Sequence, residues 1–144
     1  MPFVNVRIHF VWSTKNREPY LTDPIRQTVI QHIKENAASK DIYVDHIGGY
    51  LDHLHCLISL GAKQTIESVM HLIKGESSFW INQQKLSKNK FGWQDEYFAA
   101  SVSESLVPGA RQYIANQEKH HRKRTFESEI DDFMTRAGFR VYKD

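Results

Sequence analysis

A single cysteine in 144 residues, Cys56, rules out a disulfide within the chain. No stretch approaches the ~20 consecutive apolar residues of a membrane-spanning helix, and no signal-peptide layout is present, so a cytoplasmic location is expected. An excess of one charge is also missing. Lys and Arg number 19 against 17 Asp and Glu, and a net charge of +2 says little about partners. Internal repeats and low-complexity tracts are absent. What remains is the composition of one globular domain spanning residues 1–144, long enough to bury about two-thirds of its unfolded surface around one core.

Hydrophobic periodicity organises that domain. Over residues 4–12 the even positions Val4, Val6, Ile8, Phe10 and Trp12 are apolar, while Asn5, Arg7 and His9 alternate with them, the pattern of a half-buried strand. Ile25, Val29, Ile33 and Ala37 then recur at helical spacing. Residues 42–50 are rich in strand formers and contain Gly48-Gly49, a candidate bulge, and a hairpin leads to a strand opening at His53. Ile66, Val69, Met70, Ile73, Ser77, Trp80 and Ile81 trace a second helix, with Trp80 and Trp93 read as core. Residues 97–102 give a fourth strand. Pro108 suits the first turn of a third helix running past Gln117, and Thr125 and Gly138 cap a last helix read as an appendage. Strand, helix, strand, strand, helix, strand is the split βαβ plan, so an α+β, ferredoxin-like or RRM-like antiparallel sheet is predicted, with the first and third strands central.

Two spacings carry chemistry. In a strand, residues two apart share a face, so His53 and His55 point one way while Leu54, Cys56, Ile58 and Leu60 load the other. Cys56 is thereby a small buried hydrophobe. In a helix, residues four apart are surface neighbours, which pairs the Tyr113 phenol with the Gln117 carboxamide. With both long helices on the apolar face of the sheet, the opposite face carries Asn5, Arg7, His9, His53 and His55, and the third helix docks there with its tyrosine. His9 reads equally well as a polar residue on a solvated face or as a neighbour of the site.

Basic groups are local rather than global. Residues 119–124 read Lys-His-His-Arg-Lys-Arg, and His120, His121 and Arg124 fall on or near the stripe of Tyr113 and Gln117. Such a run is either a solvated helix face or a track for an anionic polymer, whose affinity would fall steeply with salt. Lys74-Gly75 interrupts the stripe of the second helix. A glycine there costs about 1 kcal/mol relative to alanine, so either close approach of another backbone or tight packing on the sheet is expected.

These residues resemble a known family, the small single-tyrosine transposases of bacterial insertion sequences (the 200/605 group), whose HUH motif is histidine, hydrophobe, histidine. Asp52-His53-Leu54-His55 carries the resemblance. Phe10-Val11-Trp12-Ser13-Thr14-Lys15, Leu72-Ile73-Lys74-Gly75 with Ser77-Ser78, the segment 93–98, and Tyr113-Ile114 with Gln117 extend it nearly end to end. The resemblance implies a metal-dependent nuclease and strand transferase acting on single-stranded DNA. It implies His53, His55 and Gln117 as metal ligands, Tyr113 as nucleophile, Mg2+ or Mn2+ as cofactor, hairpin DNA ends as substrate and a homodimer as the assembly. By softness alone, two imidazoles and a carboxamide suit a transition metal better than magnesium. DNA contacts are expected from Arg7, Lys15, Lys74, His120, His121 and Arg124.

Three readings follow from this. The first is a transposase that cleaves and rejoins single strands through a 5′ phosphotyrosine, with no nucleotide cofactor and no membrane. The second is a host-tamed relative that processes repeated hairpins. The third is a single-strand-binding module of the same fold without chemistry, which would need base-stacking aromatics on the sheet face; the outward positions Asn5, Arg7, His9, His53 and His55 supply none.

Overall fold

A computed structural model describes residues 1–121 and 124–138; Arg122 and Lys123 of the basic run lie outside the described residues. Its elements are β1 (Val6–Ser13), α1 (Ile25–Ser39), β2 (Tyr43–Gly49), β3 (His53–Leu60), α2 (Ile66–Gln83), β4 (Phe98–Ser101), α3 (Val107–Ala115), α4 (Gln117–His121) and α5 (Phe126–Ala137). All strand pairs are antiparallel and the sheet order is β2-β3-β1-β4, so the split βαβ plan is present with β1 and β3 in the middle.

The two-residue period of the central strands divides the molecule. Ile8, Phe10 and Trp12 of β1 and Leu54, Cys56 and Ile58 of β3 face α1 and α2, where Val29, Ile33, Val69, Met70, Ile73 and Ile81 complete the main core. Burying each such side chain contributes roughly 1.5–3 kcal/mol. Cys56 lies wholly inside, and burial pushes its thiol far above the usual range. Trp93 is core as expected, its indole N–H donating to Ser77 Oγ at 2.9 Å. Trp80 is half-buried and stacks on His32 with ring centroids 3.8 Å apart. Among the described residues, no helix is long and apolar enough to cross a membrane.

Four local features differ from the sequence reading, each for a physical reason. Pairing in β1 begins at Val6 opposite Leu60, and Val4 stays exposed, because alternation without a neighbouring strand leaves the backbone unpaired. The bulge in β2 falls at the Val44/His46 step and not at the glycines. Gly48 instead admits α3: a Cβ there would lie 2.4 Å from the Ile114 carbonyl oxygen. The helix expected to run unbroken past Gln117 breaks at Asn116 (φ −100°, ψ 18°), where Gln117 Nε2 donates to the Tyr113 carbonyl at 3.3 Å. A carboxamide has taken the acceptor that the next backbone N–H uses in a continuous helix. Finally, α2 has open space beside Gly75, with no atom of the described residues within 4 Å of a Cβ placed there, so neither close approach nor tight packing among them accounts for it.

The opposite sheet face carries α3, α4 and α5. Leu57 packs with Val107 and Ile114, while Val11 packs with Phe126 and Ile130. The residue extruded at the bulge, Asp45, receives Arg111 in a two-pronged contact, both N–H groups 2.8 Å from its carboxylate oxygens. That clamp ties α3 to β2. Thr125 caps α5 by accepting from the Ser128 N–H, and Gly138 closes it in the left-handed region at φ 66°.

Candidate active and metal site

His53 and His55 stand side by side on the polar face of β3, both fully buried. Each ring is oriented from behind. His53 Nδ1 donates to Asp52 Oδ1 at 2.8 Å, and His55 Nδ1 lies 2.8 Å from His9 Nε2. Second partners of this kind fix the rotation of an imidazole and leave the other nitrogen facing inward. His9, 5% exposed, is therefore a neighbour of the site and not a residue on a solvated face.

The break at Asn116 turns Gln117 under the sheet, where it is buried with Oε1 3.1 Å from His53 Nε2. Tyr113 approaches from α3, its ring 5.4 Å from that of His55. The structure thus brings together the tyrosine, both histidines and the glutamine within one chain.

A carboxylate that the sequence reading passed over sits at the centre. Glu129, from the helix read as an appendage, is 1% exposed. Its Oε1 lies 3.0 Å from His55 Nε2, 3.4 Å from His53 Nε2 and 3.0 Å from His121 Nε2; Oε2 accepts from the Tyr113 hydroxyl at 2.5 Å and lies 3.3 Å from His120 Nε2. A signal for it exists. Phe126, Ile130 and Phe133 form the apolar stripe of α5, and Glu129 lies on that stripe, where an unexplained acid is a mark of function.

Electrostatics follow from this packing. Burial would raise the Glu129 carboxyl, but the imidazoles of His121, His53 and His55 hold it far below the usual range, so it is ionised. Burial pushes the Tyr113 phenol well up, with the hydrogen bond to Glu129 and its negative charge adding to the effect. His55 is lowered to about 4, mainly by burial, and His9 to about 3, by burial and by the neighbouring His55. His53 goes the other way: burial opposes protonation, but Asp52 and Glu129 outweigh it.

Of the six residues expected to contact DNA, His120 and His121 belong to this cluster. Arg124 pairs with Asp132 and lines an open cleft of about 590 Å³ beside Tyr113, His120, Glu129 and Phe133. Arg7 pairs with Glu104, and Lys15 is exposed with its stem against Gly92. Lys74 lies on α2 and donates to the carbonyls of Gln94 and Asp95 at 2.6 and 2.9 Å, outside the cluster.

The donor set fits a metal ion. His53, His55 and Glu129 place their ligand atoms within 4.8 Å of one another, as do His120, His121 and Glu129. Moreover, among the described residues His120 Nε2 and His121 Nε2 are buried without a hydrogen-bond partner although both face the same carboxylate.

A split βαβ sheet with a histidine pair on its central strand and a tyrosine helix across its polar face defines a class of compact proteins, and comparison assigns this one. The profile described as "Transposase IS200 like" matches residues 2–117, and the chain belongs to that transposase family. It is 25% identical over 114 residues to the ISDra2 transposase TnpA of Deinococcus radiodurans, an alignment covering 76% of this chain and 81% of that protein. Its fold matches a candidate transposase from D. radiodurans R1 with a TM-score of 0.66 at 22% identity, over 82% of this chain and 95% of the other. It also matches the REP-associated tyrosine transposase bound to a REP hairpin, with a TM-score of 0.63 at 14% identity, over 84% of this chain and 71% of the other.

Proposed function

We propose that the chain is a metal-assisted transposase that cleaves and rejoins single-stranded DNA at insertion-sequence ends, with Tyr113 as nucleophile. The observation that carries this reading is the convergence of the Tyr113 phenol with His53, His55 and Gln117, residues from β3 and the α3–α4 junction, at one site. The Tyr113 oxygen forms a bond to phosphorus while the bond to the 3′ oxygen breaks. Glu129 orients the phenol by accepting its hydrogen bond, the phenol proton passes to solvent, the 3′ oxygen takes up a proton, and the 5′ end stays on the enzyme as a phosphotyrosine. A second 3′ hydroxyl reverses the exchange on a new end, so bond energy is conserved and no nucleotide cofactor is needed.

His53, His55 and Gln117 hold the divalent cation in this scheme, Mg2+ or Mn2+. When bound, it supplies Lewis-acid charge that favours the phenolate and draws electron density off the scissile phosphate. The cleft beside Tyr113 is the path for the strand, flanked by Arg124 and His120. Single-stranded ends with hairpins are the substrate and a homodimer is the assembly; a structural relative bound to a REP hairpin supports hairpin DNA. The non-catalytic reading lacks its platform, because the polar sheet face carries imidazoles beneath α3–α5 and no open aromatic surface among the described residues.

The test is a labelled single strand carrying an element end, incubated with protein and Mg2+ or Mn2+ and resolved under denaturing conditions. A covalent adduct forms with the parent and disappears in Tyr113→Phe. Adduct in both, or in neither, overturns the reading. His55→Ala abolishes cleavage while leaving DNA retention in place.

A further inference from the structure

We infer that Glu129 is the anionic ligand of the metal centre, so that α5 is part of the active site and the ion it takes is a transition-type divalent cation such as Mn2+, bound more tightly than Mg2+. This rests on the metal-site reading above and adds to it a ligand from outside the histidine strand and the tyrosine helix.

The positions of the ring hydrogens decide what the cluster can hold. A neutral imidazole carries one N–H. His53 Nδ1 faces a carboxylate, Asp52 Oδ1, and His121 Nδ1 lies 3.0 Å from the Arg124 carbonyl; both partners only accept, so each ring's hydrogen is on Nδ1. In the neutral form that a metal ion requires, the Nε2 atoms of both rings are then bare lone pairs. They point at Glu129 Oε1 from 3.4 and 3.0 Å, and Gln117 Oε1 approaches His53 Nε2 to 3.1 Å. Two nitrogens and two oxygens, every one an acceptor, thus crowd a single buried point. A single proton satisfies only one such pair, whereas a cation satisfies the whole set. Among the described residues, the ion-pairing partners of Glu129 are His53, His55, His120 and His121, with no Arg or Lys, so no described side chain of fixed charge pairs with this buried carboxylate.

The chemistry of the set selects the ion. Imidazoles with one carboxylate suit Mn2+, Co2+ or Zn2+, whereas Mg2+ prefers oxygens and retains its waters. Glu129 also spans two functions, one oxygen facing the imidazoles and the other holding the Tyr113 hydroxyl. The carboxylate therefore sets the distance between ion and nucleophile.

Calorimetric titration of the full chain with Mn2+ and with Mg2+, without DNA, tests this. The parent binds Mn2+ at least about tenfold more tightly than Mg2+, and Glu129→Gln, which keeps the shape and loses the charge, weakens Mn2+ binding by about tenfold or more. A second measurement needs no substitution: saturating Mn2+ slows amide hydrogen exchange across α5 in the parent. Mn2+ affinity unchanged in Glu129→Gln, α5 exchange unaffected by Mn2+, or no Mn2+ binding by the parent each overturns the assignment. The nuclease reading is judged separately: a parent that forms the Tyr113 adduct while Glu129→Gln keeps its Mn2+ affinity loses only the Glu129 ligand. A parent that binds Mn2+ through Glu129 and forms no adduct loses only the nuclease.

Discussion

The two faces of the sheet are built from the same strands and serve opposite purposes. Towards α1 and α2, the side chains of β1 and β3 are Ile8, Phe10, Trp12, Leu54, Cys56 and Ile58, a continuous apolar layer. Towards α3–α5, the same strands present His9, His53 and His55, and apolar contact shrinks to two patches around Leu57 and Val11. The first face supplies stability and the second spends part of it. Polar groups buried on the site face are tolerated because helices on the other face hold the strands in register. Rigidity from one side thus positions chemistry on the other.

Matched truncations break this comparison most sharply. Phe10→Ala removes a fully buried ring from the main core and is expected to lower unfolding free energy by about 3–5 kcal/mol, a large fraction of the roughly 5–15 kcal/mol that holds a domain folded. Ile130→Ala, in the small patch under α5, costs about 2 kcal/mol, and the loss falls on the docking of α5 and not on the sheet. Denaturant melts measure the first; hydrogen exchange, rising in α5 and unchanged in β1 and β3, measures the second. A global loss of protection in Ile130→Ala would show that the two faces form one cooperative unit.

How far each face was legible follows from the same contrast. The main core could be read because period-two and helical repeats are local, and Trp12, Leu54 or Ile73 need no knowledge of what lies opposite. His53 and His55 were equally visible, since Leu54 between them fixes which side they take. Glu129 shows in the sequence only as an acid on the apolar stripe of α5, and its role stays hidden because it depends on the docking of α5 on β1 and on imidazoles far earlier in the chain, His55 standing 74 residues before it. The break at Asn116 was hidden too: helical spacing from Tyr113 to Gln117 continues through it, and only the Gln117 carboxamide on the Tyr113 carbonyl reveals the interruption. Lys74 fits a phosphate contact by type, yet its amino group is engaged by two backbone carbonyls.

The clamp between Asp45 and Arg111 links the faces, since it fastens the tyrosine helix to an edge strand. The Arg111 guanidinium holds the Asp45 carboxyl at about 2, below its ordinary 3.8. A depressed folded-state value means that the contribution to stability is full above about pH 4 and is lost as pH falls through about 2. Asp45→Asn is expected to cost about 1–2 kcal/mol at neutral pH and to flatten the acid limb of the stability curve between those values. Acid titration of parent and variant by circular dichroism measures it. If the tyrosine helix depends on the clamp, the variant also forms the Tyr113 adduct more slowly while its main core keeps its protection.

The smallest effect concerns Gly75, on the helix side of the sheet and remote from the imidazoles. Nothing lies within 4 Å of a Cβ placed there, so alanine meets no clash, and it removes the flexibility that glycine gives the unfolded chain. Gly75→Ala is therefore expected to raise stability by about 0.5–1 kcal/mol in a thermal melt. With no neighbour among the described residues to accommodate, the glycine is either a plain weakness of α2 or room for a group outside the chain. Pairing the melt with a strand-binding titration separates the two roles. A variant that melts higher and binds single-stranded DNA as the parent does makes the glycine a plain weakness of α2. One that melts higher and binds less makes α2 a contact surface for the nucleic acid, and the division between a stabilising face and a working face no longer holds at that helix.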